Sequence, residues 1–73
     1  MFYVYLIKRD KKTGLYIGYT ADLKVRIKQH STRQKTKLIY YEAYLTEDLA
    51  RNREMLLKQF GGAWRALRKR LVL

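Results

Sequence analysis

Residues 2–19 read FYVYLIKRDKKTGLYIGY, and their reading decides the fold. Phe2 to Lys8 and Leu15 to Tyr19 are rich in aromatic and β-branched side chains, which suit the pleated, half-buried surface of a strand. Arg9 to Gly14 between them is polar and ends in glycine, so the pair reads as a β-hairpin. Successive side chains of a strand point to opposite faces, which sets Tyr3 and Tyr5 against Phe2, Val4 and Leu6. Tyr16 and Gly18 share a face in the same way. If the two strands pair, the Tyr5 and Tyr16 hydroxyls reach one open side of the sheet, where a cleft can form.

Outward from the hairpin, helical periodicity takes over. Thr20 reads as an N-cap, and Asp22 stands where a carboxylate favours a helix N-terminus. Leu23, Ile27 and His30 then recur at helical spacing to about residue 30. The short polar segment Ser31 to Lys37 leads into Leu38 to Leu45, dense in Tyr and aliphatic residues, which reads as a third strand. Tyr40, Tyr41 and Tyr44 in it read as core aromatics. Thr46 is the next cap, with Glu47 and Asp48 in the first turn of a second helix. Leu49, Leu56, Leu57 and Phe60 form its apolar stripe, and the Gly61-Gly62 pair ends it. Trp64, Leu67 and Leu71 define a short third helix whose outer face carries Arg65, Arg68 and Lys69. The expected order is ββαβαα.

At 73 residues the chain reads as one domain, 1–73, with a single modest core. The absence of Cys excludes a disulfide framework, a thiolate zinc site and cysteine nucleophile chemistry. No stretch approaches the roughly 20 apolar residues of a membrane span, and the N-terminus is strand-like rather than leader-like, so the expectation is a cytoplasmic protein. Charge is the dominant compositional signal: 17 Lys and Arg against 6 Asp and Glu give a formal net charge of +11. A field of that size on so small a surface attracts polyanions. Nucleic acid is the first partner to expect, because each Lys or Arg on the phosphate backbone releases a counterion.

Six scattered acidic residues do not assemble the carboxylate cluster of a two-metal site, so one metal ion at most fits. Glu54 stands out at the margin of the apolar stripe, near Ala50 and Leu57, although the same spacing also fits an ordinary surface pair with Lys58 one turn on. Asp22, Arg26 and His30 follow one another at i, i+4 and i+8 and stack along one side of the first helix. That stripe is either a salt-bridged surface or a site: Arg donates two hydrogen bonds to phosphate, and His binds phosphate or moves a proton near neutral pH.

These residues together resemble the GIY-YIG nuclease family. Tyr3-Val4-Tyr5 followed by Tyr16-Ile17-Gly18 looks like the family's paired strands, with the second Tyr eleven positions after the first. Asp22-Leu23 followed by Arg26 and His30 is similar to its Arg-x-x-x-His helix, and Arg53-Glu54 matches its Arg-Glu step. Leu38-Ile39-Tyr40-Tyr41-Glu42 and Gly61-Gly62-Ala63-Trp64 resemble small stand-alone bacterial members. Tyr3 stands where the family has its first Gly, and the segment from His30 to Leu38 is shorter than in typical relatives.

The resemblance implies an α/β (α+β) fold with a three-stranded antiparallel sheet flanked by helices. It implies a metal-dependent endonuclease acting on DNA, with RNA as a further substrate class, and a role in repair or processing of damaged or branched DNA. Tyr5 would accept a proton from, or orient, the attacking water, and Tyr16 would help to bind the phosphate. A phenol with a pKa of about 10 is a poor base at neutral pH, so a nearby cation, for which Arg26 is a candidate, or a metal-bound hydroxide has to assist it. Arg26 would also stabilise the extra negative charge on phosphorus, with His30 adding a hydrogen bond or taking the Tyr proton. Glu54 would hold one Mg²⁺ or Mn²⁺ ion. Arg33, Lys35 and Lys37 between helix and strand, and Arg65, Arg68 and Lys69 on the last helix, would track the backbone. A protein partner would supply targeting. The second reading is a non-catalytic nucleic-acid-binding module of the same fold, and the third a basic protein that docks on an acidic surface.

Overall fold

Val4, Tyr5, Leu6 and Ile7 are all buried, which alternation allows only for a strand covered on both faces. A computed structural model of the chain, describing residues 1–9, 14–32 and 35–72, shows why. The elements are β1 (Phe2–Arg9), β2 (Leu15–Thr20), α1 (Leu23–Ser31), β3 (Thr36–Tyr44), α2 (Glu47–Gln59) and α3 (Gly61–Leu71). This is the expected ββαβαα order. The three strands form one antiparallel sheet in the order β2-β1-β3, so β1 is the central strand. No helix among the described residues is long and apolar enough to cross a membrane.

The two faces are covered differently. On the Val4 face, α2 and α3 close a core of Val4, Ala50, Leu57 and Leu67, with Phe2, Ile17, Tyr19, Tyr40, Tyr44, Trp64 and Leu71 packed around it. Ala50 at the contact lets the α2 backbone approach the sheet closely. On the Tyr5 face, among the described residues, α1 is the helix that lies over the strands, and it buries none of its residues completely.

Several expectations are corrected. Asp22, not Thr20, caps α1: its carboxylate accepts from the Val25 N–H at 3.1 Å. Thr20 is the last residue of β2, and its hydroxyl bonds the Asp22 backbone instead, accepting from N–H at 3.1 Å. Thr46 does cap α2, but Leu49 and Phe60 are 52% and 54% exposed. The seam that α2 buries runs through Ala50 and Leu57. The glycine pair opens α3 rather than closing α2. Phe60 takes an extended conformation between the two helices, and Gly61 begins the next one. The third strand starts at Thr36, so Lys37 belongs to it, facing Lys8 across the ladder. Tyr41 is 52% exposed rather than core, because it points to the Tyr5 face at the sheet's β3 edge. The hairpin turn 10–13 and Arg33 lie outside the described residues.

Candidate active site

The register that makes the hairpin also builds the first part of the site. Tyr5 is opposite Gly18 and Ile7 opposite Tyr16, so Tyr5, Tyr16 and Gly18 share one face as alternation requires. The Tyr5 and Tyr16 ring centroids are 6.3 Å apart. Gly18 is there because the Tyr5 ring lies directly over it: a Cβ would strike the Tyr5 hydroxyl and sit 2.6 Å from Cζ. A glycine opposite the first tyrosine is therefore a steric requirement.

From above, α1 adds His30, whose Nε2 is 3.0 Å from the Tyr5 hydroxyl. The imidazole also packs against both phenol rings, with centroids 5.8 Å from Tyr5 and 5.2 Å from Tyr16. Tyr5 is 1% exposed. Burial, followed by the neighbouring Tyr16, pushes its pKa up to about 12, with Glu54 adding to the rise while Arg26 and Arg9 oppose it. At neutral pH this phenol keeps its proton. It then donates to Nε2 whenever the ring carries its own hydrogen on Nδ1.

A cleft of about 510 Å³ opens beside these groups, lined by Tyr5, Tyr16, Gly18, Tyr19, Thr20, Ala21, Asp22, Arg26, Glu47 and Glu54. Of the five residues singled out as catalytic, Tyr5, Tyr16, Arg26 and Glu54 border this one cavity, and His30 is bonded to Tyr5. Glu54 also makes the pair anticipated from spacing, with Lys58 Nζ 3.4 Å from Oε2, so the two readings of this carboxylate coexist. Of the two readings of the α1 stripe, a salt-bridged surface or a site, the structure uses Asp22 as the helix cap, one turn before Arg26.

The basic residues assigned to the backbone are dispersed. Lys35 and Lys37 are exposed beside and within β3, and Arg65 and Lys69 are exposed on α3, which covers the opposite face of the sheet; none of them lines the cleft. Arg68 stacks 5.8 Å from the Trp64 ring centroid and lines a separate cavity of about 540 Å³ with Tyr16, Lys58 and Trp64. Sequence reasoning missed two cations that flank the site. Arg9 lies 4.2 Å from the Tyr16 ring centroid and Lys58 5.6 Å, both within cation–π range. It also missed Glu47, whose place in a first helical turn had already explained it.

The Arg-Glu step on α2 serves two sides of the helix. Arg53 Nε donates to Glu42 Oε1 at 3.0 Å and its Nη2 to Oε2 at 3.2 Å, tying α2 to β3. Tyr40 and Tyr44 donate to the same carboxylate. Burial raises the Glu42 pKa, but the hydrogen bonds from Arg53, Tyr44 and Tyr40 outweigh it and hold the group below the usual carboxylate value. Adjacent helical residues project about 100° apart. With Arg53 fixed toward β3, Glu54 is directed to the β2 side and the cleft.

A family model, the GIY-YIG catalytic domain, matches residues 1–66. The chain belongs to the GIY-YIG family, a family of nuclease domains. Among its relatives, a UPF0213 protein of Streptococcus pyogenes serotype M5 (strain Manfredo) is 35% identical over 66 residues, covering 78% of this chain and 71% of that protein. A UPF0213 protein of Staphylococcus haemolyticus (strain JCSC1435) is 34% identical over 67 residues, covering 80% of each. No solved structure matches the chain. The GIY-YIG match ends within α3 and takes in β1 to α2, the elements that carry Tyr5, Tyr16, Arg26, His30 and Glu54.

The donor set of this GIY-YIG site can be weighed against a metal ion. Among the described residues no group of three His, Asp or Glu side chains forms a cage. Glu54 offers one half-buried carboxylate on the cleft wall. That suits a hard ion held by one carboxylate, waters and substrate oxygens, the usual manner of Mg²⁺.

Proposed function

We propose that the chain is a metal-dependent nuclease that hydrolyses phosphodiester bonds in DNA. The observation that carries this reading is the 3.0 Å contact between the Tyr5 hydroxyl and His30 Nε2 in the wall of a cleft also bordered by Tyr16, Arg26 and Glu54. A phenol with its pKa near 12 does not act as a pre-formed base. It works as a relay: as a water in the cleft attacks phosphorus, its proton passes to the Tyr5 oxygen while the Tyr5 proton passes to Nε2. His30 is half-buried, so its ring reaches solvent and can pass that proton on.

The other residues act on the phosphate. Arg26 donates to the non-bridging oxygens and stabilises the charge that builds up at phosphorus. Tyr16, whose ring both Arg9 and Lys58 approach, donates its hydroxyl to the same group. Glu54 would hold the ion, which when bound would supply Lewis-acid stabilisation of the leaving 3′ oxygen. The formal charge of +11 supplies the long-range attraction to the backbone.

The test compares wild type, Tyr5→Phe and Glu54→Ala on mixed DNA and RNA substrates with Mg²⁺, Mn²⁺ or a chelator. Cleavage by the wild type alone, abolished by chelator and reduced by about 10² or more in Tyr5→Phe, is the expected result. The second reading, a binding module of the same fold, is favoured by the Glu54–Lys58 pair, which already gives the carboxylate a cation. Binding without cleavage under every metal condition decides for it.

A further inference from the structure

The cleft does not end at Arg26. A second cavity of about 350 Å³, lined by Tyr3, Ala21, Asp22, Leu23, Lys24 and Tyr41, shares Ala21 and Asp22 with it. Two aromatic rings form its sheet side. Tyr3 and Tyr41 meet edge to face with centroids 6.0 Å apart. Tyr41 is directly opposite Tyr5 in the ladder, so it stands on the same face as the relay, one strand further from β2. Yet Tyr41 is 52% exposed, where the other aromatics of its strand, Tyr40 and Tyr44, are packed into the core with hydroxyls on Glu42. Lys24 is exposed at the rim.

We propose that this second cavity is a nucleobase subsite: Tyr41, supported by Tyr3, stacks on an unpaired base adjoining the phosphate in the cleft, with Lys24 on the next phosphate. The inference rests on the nuclease reading and deepens it by naming the substrate class. A base inside a duplex is stacked on both sides and offers no face to a tyrosine. A single strand, flap or extruded nucleotide does, and aromatic stacking of this kind tolerates any base. The continuity of the two cavities and the strongly basic charge fit a polyanion that threads both. An apolar protein ligand would use only the second.

Fluorescence anisotropy in chelator at low salt tests it, with single-stranded DNA carrying 2-aminopurine, the same length of single-stranded RNA, and blunt duplex DNA. Tyr41→Ala is expected to weaken single-strand binding by about tenfold or more and to abolish 2-aminopurine quenching, while duplex binding stays unchanged. Tyr41→Phe, which keeps the ring, retains both. Unchanged duplex affinity in Tyr41→Ala also shows that the variant is folded. An effect on the DNA strand alone, or on the RNA strand alone, supports the subsite and identifies its sugar. Equal losses on strand and duplex, or none, overturn the subsite and leave the nuclease reading standing. A wild type that binds no nucleic acid at low salt overturns both.

Discussion

Two clusters in the molecule, one at the α2–β3 contact and one around the cleft, are made from the same kinds of residue. In the first, Tyr40, Tyr44, Glu42 and Arg53 bond to one another: one carboxylate accepts from two phenols and a guanidinium, and its charge is paired. In the other, Tyr5, Tyr16, Arg26 and Glu54 are arranged around a cavity of about 510 Å³ instead of around one another. The difference between a structural clamp and a site is thus geometric rather than compositional. A clamp spends its hydrogen-bonding capacity internally, whereas a site holds part of it toward an absent partner.

The sharpest way to break that contrast is to fill the cleft side from within. Gly18→Ala places a methyl group inside the Tyr5 ring's volume, 2.6 Å from Cζ. Tyr5 must move, carrying its bond to His30 with it. Displacement of a reacting group by about 1 Å costs on the order of 10²-fold in rate, and overpacking of this kind about 1–3 kcal/mol in stability. The expected outcome is a cleavage rate reduced by about that factor, with a urea midpoint lowered correspondingly. A Gly18→Ala protein with wild-type turnover contradicts the placement of Tyr5 at the chemistry.

The clamp should answer in the opposite proportion. Glu42→Gln removes the charge that faces Arg53 and leaves a guanidinium and two hydroxyls with a poorer acceptor. Hydrogen bonds to charged groups contribute about 1.5–3 kcal/mol, so a loss of about 2 kcal/mol in unfolding free energy is expected. The Glu42 pKa is depressed, so its stabilisation is fully present above the unfolded carboxylate pKa and is lost as pH falls through the folded one. The acid limb of the wild-type stability profile should therefore be steeper than that of Glu42→Gln. Cleavage per folded molecule should fall far less than in Gly18→Ala, since Glu54 is only re-aimed.

How much of this was legible in the chain follows from the reach of each signal. Strand alternation and an eleven-residue spacing put Tyr5 and Tyr16 on one face, and helical spacing put Arg26 and His30 one turn apart; both are local and survive folding. The Glu42–Arg53 clamp joins residues eleven apart on different elements, and no periodicity announces a bond of that kind. Caps two residues apart are hard to separate by type alone: Thr20 and Asp22 are both good caps, and what decides is that Thr20 is still in the ladder. Tyr41 was misread because aromatic content suggests burial, while an edge strand covered fully on one face leaves every second side chain outside. The glycine pair was read as a stop because glycine commonly closes helices, but neither Gly61 nor Gly62 takes a positive φ, and both begin α3.

The finest comparison sets one phenol of each cluster against the other in alkali. Tyr5 and Tyr44 both have pKa values pushed up to about 12, each chiefly by burial, with Tyr16 next for the former and the hydrogen bond to Glu42 next for the latter. A phenol whose folded pKa exceeds its unfolded value of about 10 stabilises the fold fully below that pH. The contribution is lost as pH rises from about 10 through about 12. Chemical denaturation between pH 9 and pH 12 should therefore show a shallower decline in Tyr5→Phe and in Tyr44→Phe than in wild type. At neutral pH the two should diverge. Tyr44→Phe removes a donor from Glu42 and should cost about 1 kcal/mol, whereas Tyr5→Phe leaves a half-exposed imidazole that water can serve and should cost less. Coincident alkaline curves for all three proteins would show that neither phenol is held protonated, and with that the distinction between a relay hydroxyl and a clamp hydroxyl would lose its electrostatic basis.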